Sequence, residues 1–348
     1  MPELKSNSGN FFEDFHVGME IVHATPLTIS EGDVSLYRAL TGSRHALYSS
    51  AEFAQSNGKE RLAVDPLLAF HVVFGKSVPD ISLNAVANLG YAEGVFLQDI
   101  YPGDTLRAAS KVIGVKQNSS GKTGVVYVRT SGLNQRDEIV LSYVRWVMVN
   151  KRDINAPALE TYVPQLQSGV LPKDLPQAFY EGWDDRLAGS PHRFEDYEIG
   201  EKINHVDGMT VEEAEHQIAT RLYQNTAKVH FDAHGQKESR FGKRLIYGGV
   251  VISIARALSF NGLGNAAQLL AINAGSHTAP LFAGDTVYAW SEVLDKAALN
   301  SSTGALRLRL VAVKDQNPGD FALRNSDGKY APGVLLDFDY WAAIPRQR

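Results

Sequence analysis

The sequence predicts an α+β protein made of two tandem copies of one domain. Residues 12–18, Phe-Glu-Asp-Phe-His-Val-Gly, return as residues 194–200, Phe-Glu-Asp-Tyr-Glu-Ile-Gly, at an offset of 194 − 12 = 182. The tripeptide at 103–105, Gly-Asp-Thr, returns at 284–286 at an offset of 181. At 348 residues the chain is long enough for two domains, each with its own core. Each copy also places one long apolar segment before a series of strands.

Each copy begins with a helix-forming stretch and continues with a more apolar one. In residues 33–40 and 211–222, apolar and polar side chains recur near helical spacing, which predicts one helix in each copy. The segments 67–78 and 250–263 are apolar on nearly all sides. Because a helix of that kind is stable only when other elements cover it, we predict one buried helix per copy.

Four strands are predicted after each buried helix, because stretches rich in β-branched and aromatic residues are separated by turn signals. In the first copy they cover residues 85–97, 105–116, 123–132 and 138–149, and in the second copy residues 269–279, 286–294, 304–313 and 334–343. Trp146 and Trp341 are separated by 341 − 146 = 195 positions rather than by the repeat offset. The extra residues of the second copy are therefore expected in a polar surface loop at 315–329.

A buried helix wrapped by an antiparallel sheet is the hot-dog arrangement, so the two copies predict a double hot-dog fold. We expect the N-terminal repeat at 11–150 and the C-terminal repeat at 194–348. A curved sheet around one helix leaves an edge exposed, and pairing the two edges would join the halves like the subunits of a dimer. The connecting residues 151–193 contain five prolines. This composition predicts an extended linker packed over the surface.

Composition narrows the class of protein. Apolar residues make up 44% of the chain and charged residues 21%, as in a soluble globular protein. The net charge of −5 gives no basic surface for nucleic acid. No segment has the roughly 18 apolar residues that span a bilayer, and residues 1–10 lack the apolar part of a signal peptide, so we expect a cytoplasmic protein. The absence of cysteine excludes disulfides and thiolate metal sites.

The repeat makes the two halves chemically unequal. The offset of 182 places Tyr48 opposite His230 and Ser43 opposite Asn225. Only the second half therefore has a histidine, which exchanges protons near neutral pH, at this position. We expect the second half to be catalytic and the first half to be supportive.

The segment 222–231, Leu-Tyr-Gln-Asn-Thr-Ala-Lys-Val-His-Phe, resembles the motif of the MaoC-like enoyl-CoA hydratases, in which an aspartate is followed five residues later by a histidine. In this match Asn225 takes the aspartate position and His230 the histidine position. The sequence departs from the motif at Gln224, which replaces a glycine, and at Ala227 and Lys228, which replace Asn-Pro. The sequence that follows the motif resembles these hydratases more closely, since the glycines at 248–249 begin the second buried helix, where such hydratases have a glycine.

Longer stretches resemble the mesaconyl-CoA hydratase branch of this family. They are residues 70–76, 83–91, 118–130, 143–149 and 224–231, and they span both halves. The resemblance implies reversible hydration of a branched, unsaturated dicarboxylic acyl-CoA, with no metal and no redox cofactor.

Hydration of a double bond conjugated with a thioester needs a base for water, an acid for carbon and donors for the enolate oxygen. His230 is our candidate for both proton transfers, and the Asn225 amide for holding the water or orienting the histidine. The backbone N–H groups of Gly248 and Gly249, at a helix N-terminus, are candidate oxyanion donors. Each residue also has a simpler interpretation: His230 as a core or surface histidine, Asn225 as a turn cap, and the glycines as a tight helix entry.

The substrate carboxylate requires a cation, and arginine binds carboxylates with two parallel hydrogen bonds. Arg44, beside the first-half counterpart of the motif, and Arg221, just before the motif, are the substrate-binding candidates, although either could be a surface ion-pair residue. His71 and Lys76 interrupt the first apolar helix and could line a pocket or mark its end. For the CoA phosphates the sequence offers one basic cluster: Lys237, Arg240, Lys243 and Arg244.

Other hypotheses remain open. Asp104 and Asp285 are carboxylates, but Gly-Asp between strands is first a turn signal. The fold also serves acyl-CoA thioesterases, which would more naturally have a carboxylate on the buried helix, and 250–263 contains none. The alternatives to the mesaconyl-CoA hydratase are a hydratase of other enoyl-CoA thioesters and a non-catalytic acyl-CoA-binding module, and the chain could form a homo-oligomer.

Overall fold

In the computed structural model, which describes residues 5–347, ten antiparallel strands form one continuous sheet. The first half contributes β1 (Glu20–Thr28), β2 (Ala85–Phe96), β3 (Thr105–Gln117), β4 (Thr123–Leu133) and β5 (Ile139–Asn150). The second half contributes β6 (Lys202–Thr210), β7 (Gln268–His277), β8 (Thr286–Ala298), β9 (Thr303–Lys314) and β10 (Val334–Pro345). The strand order is β1-β3-β4-β5-β2-β7-β10-β9-β8-β6. Corresponding strands of the two halves therefore lie at equal distances from the centre of the sheet, where β2 pairs with β7.

The helices also repeat between the halves, apart from short turns. The α-helices are α1 (Glu31–Thr41), α2 (Ala46–Ser49), α3 (Ala51–Ser56), α4 (Pro66–Ser77), α5 (Asp185–Ala188), α6 (Glu213–Leu222), α7 (Lys228–Phe231), α8 (Gly248–Leu258) and α9 (Phe260–Leu263). A π-helical turn at Val78–Ser82 follows α4, and 3-10 turns occur at Phe12–Asp14, Pro172–Asp174, Phe194–Asp196, Gly235–Glu238 and Pro318–Asp320. Helices α1 and α6 lie at the predicted positions, as do α4 and α8.

The two apolar helices are buried, and the sheet wraps around them. Asp65 caps α4 by accepting a hydrogen bond from the Leu67 N–H, and Pro66 occupies the first turn, where its missing N–H costs nothing. The helices meet where His71 Nε2 lies 2.8 Å from Ser253 Oγ, two positions related by the offset of 182. Nearly every residue of both helices is buried, because the sheet and the partner helix cover all sides.

The edge strands β2 and β7 join the halves. They are antiparallel, with Tyr91 opposite Gly275 and Val95 opposite Ala271. A Cβ at Gly275 would lie 2.7 Å from the Tyr91 ring, so the close approach of the strands requires glycine there. The architecture is the double hot dog that the sequence predicts, and the edge pairing leaves neither central edge exposed.

The linker differs from the expectation of a segment lying only on the surface. It has little regular structure, but Val170, Leu175, Tyr180 and Trp183 are buried. They belong to one apolar cluster with Tyr48 of the first half. The linker is therefore part of a core, because these aromatic and aliphatic side chains bury enough area to order a segment without strands.

Candidate active site

A cavity of about 690 Å³ lies where the two halves meet. This volume is typical of a small-molecule site. The first half contributes residues from the end of α4, from β2 and from β5, and the second half contributes the segment around α7, the start of α8 and the end of β7. Six of the lining residues bear on the chemistry: Asn88, Arg145, Asn225, His230, Gly248 and His277.

His230 lies in α7, a single helical turn that is hydrogen-bonded to Leu245, just before α8. The Leu245 N–H donates to the Val229 carbonyl at 3.1 Å. In return the Nδ1–H of His230 donates to the Leu245 carbonyl at 2.9 Å. Because this bond requires the proton on Nδ1, the neutral ring carries its lone pair on Nε2. The ring is thus fixed in the tautomer that leaves Nε2 as a base.

Burial lowers the pKa of His230 to about 4, and the bond to the Leu245 carbonyl only partly opposes that shift. The protein surrounds the ring, yet part of the ring remains exposed to the cavity. The imidazole is consequently uncharged at neutral pH and can accept a proton from a molecule in the cavity.

Uncharged aromatic side chains surround His230. His216 Nε2 accepts the Tyr247 N–H at 3.0 Å, and burial followed by the proximity of His230 lowers the pKa of His216 to about 3. The Tyr247 ring packs against His230 at 5.4 Å between centroids. His277 lies on the cavity wall, where burial, followed by the proximity of His230, lowers its pKa to about 4. All three imidazoles are neutral at neutral pH, so none of them adds positive charge to the cavity.

Asn225 lines the cavity beside His230 and is 1% exposed. Its Oδ1 accepts the Ala227 N–H at 3.1 Å, which orients the side chain, and this bond leaves the Nδ2 group as a donor. The preceding Gln224 has φ +54°, the left-handed conformation that the glycine of the motif supplies easily. The Gln224 side chain accepts from Lys76 Nζ at 2.8 Å, which helps to hold this strained residue in place.

The predicted oxyanion glycines have different surroundings. Gly248 begins α8 and lines the cavity. A Cβ there would overlap the His277 ring, so only glycine allows the helix N-terminus this close to the cavity wall. Gly249 does not line the cavity, because it is buried against the Tyr247 and His71 rings. Of the two, only Gly248 combines a place at the start of α8 with a place in the cavity lining.

The structure does not bring the predicted carboxylate-binding arginines to the cavity. Arg44 is exposed and stacks on the Phe260 ring at 4.7 Å, and Arg221 is exposed on α6. Neither residue lines the cavity, because the loop and helix that carry them point these side chains to the outside. Nearness to the motif in sequence was misleading here.

Of the predicted CoA-binding cluster, Arg240 lines the cavity, and Lys228 lies there as well. Arg244 is held by Glu213 and Gln217 instead, and Lys243 lies 4.1 Å from the Phe282 ring. The exposed Arg240 and Lys228 therefore supply the positive charge at the cavity mouth.

The aspartates at the Gly-Asp turns are structural. Asp104 accepts the Tyr101 N–H at 2.8 Å, and Asp285 accepts the Phe282 N–H at 2.9 Å. Both carboxylates thus close equivalent turns in the two halves, as the turn interpretation predicts.

Arg145, Asn88 and His277 line the cavity but are not among the residues that the sequence analysis singles out. Arg145 lies on the same face of β5 as Tyr143 and Val147, and all three are buried. The alternation of the strand thus places a charge among core residues, which is a signal visible in the sequence. Asn88 on β2 and His277 on β7 have no such signal, because their position depends on how the two halves pair.

An arrangement resembling a serine hydrolase triad occurs outside the cavity. His23 lies 2.7 Å from Asp80 Oδ2 through Nδ1 and 2.7 Å from Ser110 Oγ through Nε2. The second half repeats it without the carboxylate, with His205 bonded to Ser291 Oγ at 2.8 Å. Ser110 is 3% exposed and does not line the cavity. These histidines therefore brace β1 against β3 and β6 against β8.

Two structural features are absent from the described part of the chain. Within residues 5–347 no helix is long and apolar enough to cross a membrane. Over the same residues, no group of three or more histidine or acidic side chains is arranged to hold a metal ion.

A double hot dog with a fixed neutral histidine and a helix N-terminus at one cavity defines the class of MaoC-like hydratases. A family model described as mesaconyl-CoA hydratase matches residues 4–324. The chain is 60% identical to a β-methylmalyl-CoA dehydratase of Chloroflexus aurantiacus over 99% of both chains, and 61% identical to a mesaconyl-CoA hydratase of Cereibacter sphaeroides over 99% of this chain and 100% of that protein. The crystal structure of a putative MaoC domain protein dehydratase from Chloroflexus aurantiacus has a TM-score of 0.98, at 60% identity over 99% of this chain and 100% of that one.

The chain belongs to the mesaconyl-CoA hydratase family, and it is an enzyme of the hydro-lyase class. Membership confirms the family resemblance and the reversible hydration that the sequence predicts. The roles of individual residues do not follow from it and require the geometry of the cavity.

Proposed function

We propose that this enzyme reversibly hydrates mesaconyl-CoA (2-methylfumaryl-CoA) to β-methylmalyl-CoA, with His230 transferring the protons. The fixed, neutral His230 ring in the cavity between the halves carries the proposal. Relatives about 60% identical over nearly their whole length are named for these two compounds. An acyl-CoA is thus the partner, and no metal or redox cofactor is required, since the reaction consists only of proton transfer and addition of water.

The chemistry follows from the positions of these groups. His230 Nε2 removes a proton from water while the water oxygen bonds to the carbon β to the thioester carbonyl. The double bond breaks, and its electron pair moves onto the carbonyl oxygen. The Gly248 N–H, at the positive end of α8, stabilises that oxygen. The protonated His230 then returns the proton to the α-carbon, which completes the addition of H and OH.

Asn225 and the cavity mouth have supporting roles. The Asn225 Nδ2 group holds the attacking water beside His230, and an amide suffices because His230 alone exchanges protons. The phosphates of CoA bind at the mouth to Arg240 and Lys228, the basic residues that line it. We place the reaction in the cytoplasm, where a CoA thioester substrate is at hand.

Incubation with mesaconyl-CoA tests the proposal. Loss of the enoyl-thioester absorbance without release of free thiol is the expected result, and the product should have the mass of the substrate plus water. Thiol release would instead indicate a thioesterase. Binding without either change would indicate a non-catalytic acyl-CoA-binding module.

The pH profile should report the lowered pKa of His230. Because the neutral ring is the active form and its pKa is about 4, kcat/KM on the acid side should stay constant from neutral pH down to about pH 5 and fall only near pH 4. A histidine with the usual pKa near 6.5 would already lose about tenfold at pH 5.5. A profile that falls near pH 6.5 would contradict the proposed environment of the base.

Acid stability is the control for that profile. Histidines that are buried uncharged bind protons more readily after unfolding, so the fold loses stability as pH drops below about 6.5 toward their folded pKa values. Rates should therefore be measured within seconds of a pH jump, with the folded fraction followed by circular dichroism at each pH.

A further inference from the structure

Arg145 is a buried cation without an anionic partner. Its side chain is 0% exposed, yet it lines the cavity. No aspartate or glutamate among residues 5–347 pairs with it, and the titratable groups that act on it are tyrosines. A buried charge is costly unless a partner compensates it. An arginine kept in this state at a cavity wall therefore indicates an anion that comes with the ligand.

The guanidinium group is held in one orientation. Nη2 donates to Ser77 Oγ at 2.9 Å, and both terminal nitrogens lie 3.3–3.4 Å from Ser82 Oγ. The Cζ atom lies 4.1 Å from the centre of the Phe74 ring. These neutral neighbours position the group but leave its charge uncompensated, and Nε has no hydrogen-bond partner within residues 5–347. The site is thus preorganised for a planar acceptor such as a carboxylate.

Further polar groups that lack a hydrogen-bond partner among the described residues share the cavity with Arg145. Both polar atoms of the Asn88 side chain and the hydroxyl group of Tyr247 are buried without hydrogen-bond partners among the described residues. Both side chains line the cavity. Buried polar groups are normally hydrogen-bonded, so these atoms indicate a polar ligand group at the same wall.

The other buried arginine of the core provides a comparison. Arg256 is 5% exposed, but His45 Nε2, Ser259 Oγ and two backbone carbonyls accept its hydrogen bonds. It does not line the cavity. The protein thus supplies hydrogen-bond acceptors for most of the Arg256 guanidinium group, but leaves part of the Arg145 guanidinium group without a partner among the described residues.

We propose that Arg145, aided by Asn88 and Tyr247, binds the free carboxylate of the acyl group and restricts the enzyme to dicarboxylic acyl thioesters. This inference rests on the proposed function. In the hydration written above, the carbon that receives the hydroxyl group also carries the carboxylate, so this carboxylate must lie near His230. The Tyr247 ring contacts His230 at 5.4 Å and the Phe74 ring at 5.6 Å, which places it between the base and the Arg145 site. The catalytic base thus comes from the second half, whereas Arg145 and Asn88 come from the first half.

The test compares mesaconyl-CoA with crotonyl-CoA, which lacks the carboxylate. The wild-type enzyme should prefer mesaconyl-CoA by about 10²-fold or more in kcat/KM, because crotonyl-CoA leaves the cation unpaired. In Arg145→Gln, kcat/KM for mesaconyl-CoA should fall about 10²-fold while that for crotonyl-CoA changes little. The matched control is Arg44→Gln, which should leave the ratio between the substrates unchanged. Equal loss on both substrates in Arg145→Gln would overturn the inference.

A binding measurement separates this inference from the proposed function. Succinyl-CoA has a free carboxylate and butyryl-CoA does not, and neither can be hydrated. Succinyl-CoA should bind the wild-type enzyme more tightly by at least about tenfold, and Asn88→Ala should reduce that difference even if Arg145→Gln does not fold. If succinyl-CoA is preferred but mesaconyl-CoA is not hydrated, the carboxylate site stands and the proposed function fails. If mesaconyl-CoA is hydrated without any preference for succinyl-CoA, the function stands and the carboxylate site fails.

Discussion

His230→Gln should lower kcat for hydration by about 10²- to 10⁴-fold while the protein stays folded. Glutamine has a similar length, and although the bond from Nδ1 to the Leu245 carbonyl is lost, the Leu245 N–H still donates to the Val229 carbonyl and keeps α7 in place. It cannot exchange a proton with water or with the α-carbon of the substrate, so both proton transfers are lost together. Steady-state kinetics with mesaconyl-CoA measure the loss of kcat, and a thermal melt shows whether the variant stays folded.

Tyr48→Phe is the matched control, since the repeat offset places Tyr48 opposite His230. The Tyr48 hydroxyl group is buried without a hydrogen-bond partner among the described residues, so its removal should preserve both activity and stability. A loss as deep as that of His230→Gln would mean that the first half is catalytic. Normal turnover by folded His230→Gln would remove His230 from the mechanism.

The linker explains why Tyr48, the counterpart of His230, is part of an apolar core and does not face an open cavity. Tyr48 packs in one cluster with Val170, Tyr180 and Trp183 of the linker. A space of about 100 Å³ lies beside Pro66 at the start of α4 and Pro176 of the linker. The region that corresponds by repeat to the active cavity is thus filled by the segment that connects the halves. Duplication of an ancestral domain then leaves one open site per chain, with the second half as its catalytic side.

The regular core of the fold was predictable because its signals are local. Helix α4 is apolar along most of its length, and β5 is rich in β-branched and aromatic residues, so each is visible in the sequence. Strands β1 and β6 were missed because most of their residues are exposed and give no alternation. Their strand conformation is imposed by pairing with β3 and β8, which no local pattern encodes.

The site was predictable only where the repeat or the motif marked it. His230 and Asn225 were found in this way, and the structure places both at one cavity. Arg145 was missed because its closeness to the cavity depends on the packing of β5 against α4. Arg44 was chosen for its closeness to the motif in sequence, although a short loop can direct neighbouring side chains to opposite sides. The proposed recognition of the carboxylate thus depends on tertiary packing, whereas the motif marks only the proposed base.

Gly75→Ala should both destabilise the protein and reduce turnover, because Gly75 supports the catalytic loop from the opposite half. A Cβ at Gly75 of α4 would overlap the backbone carbonyl of Tyr223, two residues before Asn225. A main-chain atom cannot move aside as a flexible side chain can, so we expect a loss of about 3 kcal/mol or more in stability. Displacement of the loop by even 1 Å would lower kcat by about 10²-fold.

The repeat supplies the control for this prediction. Ala257 of α8 is the counterpart of Gly75 at the offset of 182, so the second half accommodates a Cβ where the first half does not. Ala257→Gly should cost only about 1 kcal/mol, the usual difference between these residues in a helix, and should leave kcat unchanged. Thermal melts and kinetics on both variants make the comparison. A Gly75→Ala enzyme with normal stability and turnover would show that α4 does not hold the loop, whereas the combined loss would show that the supportive half positions the catalytic one through backbone contact.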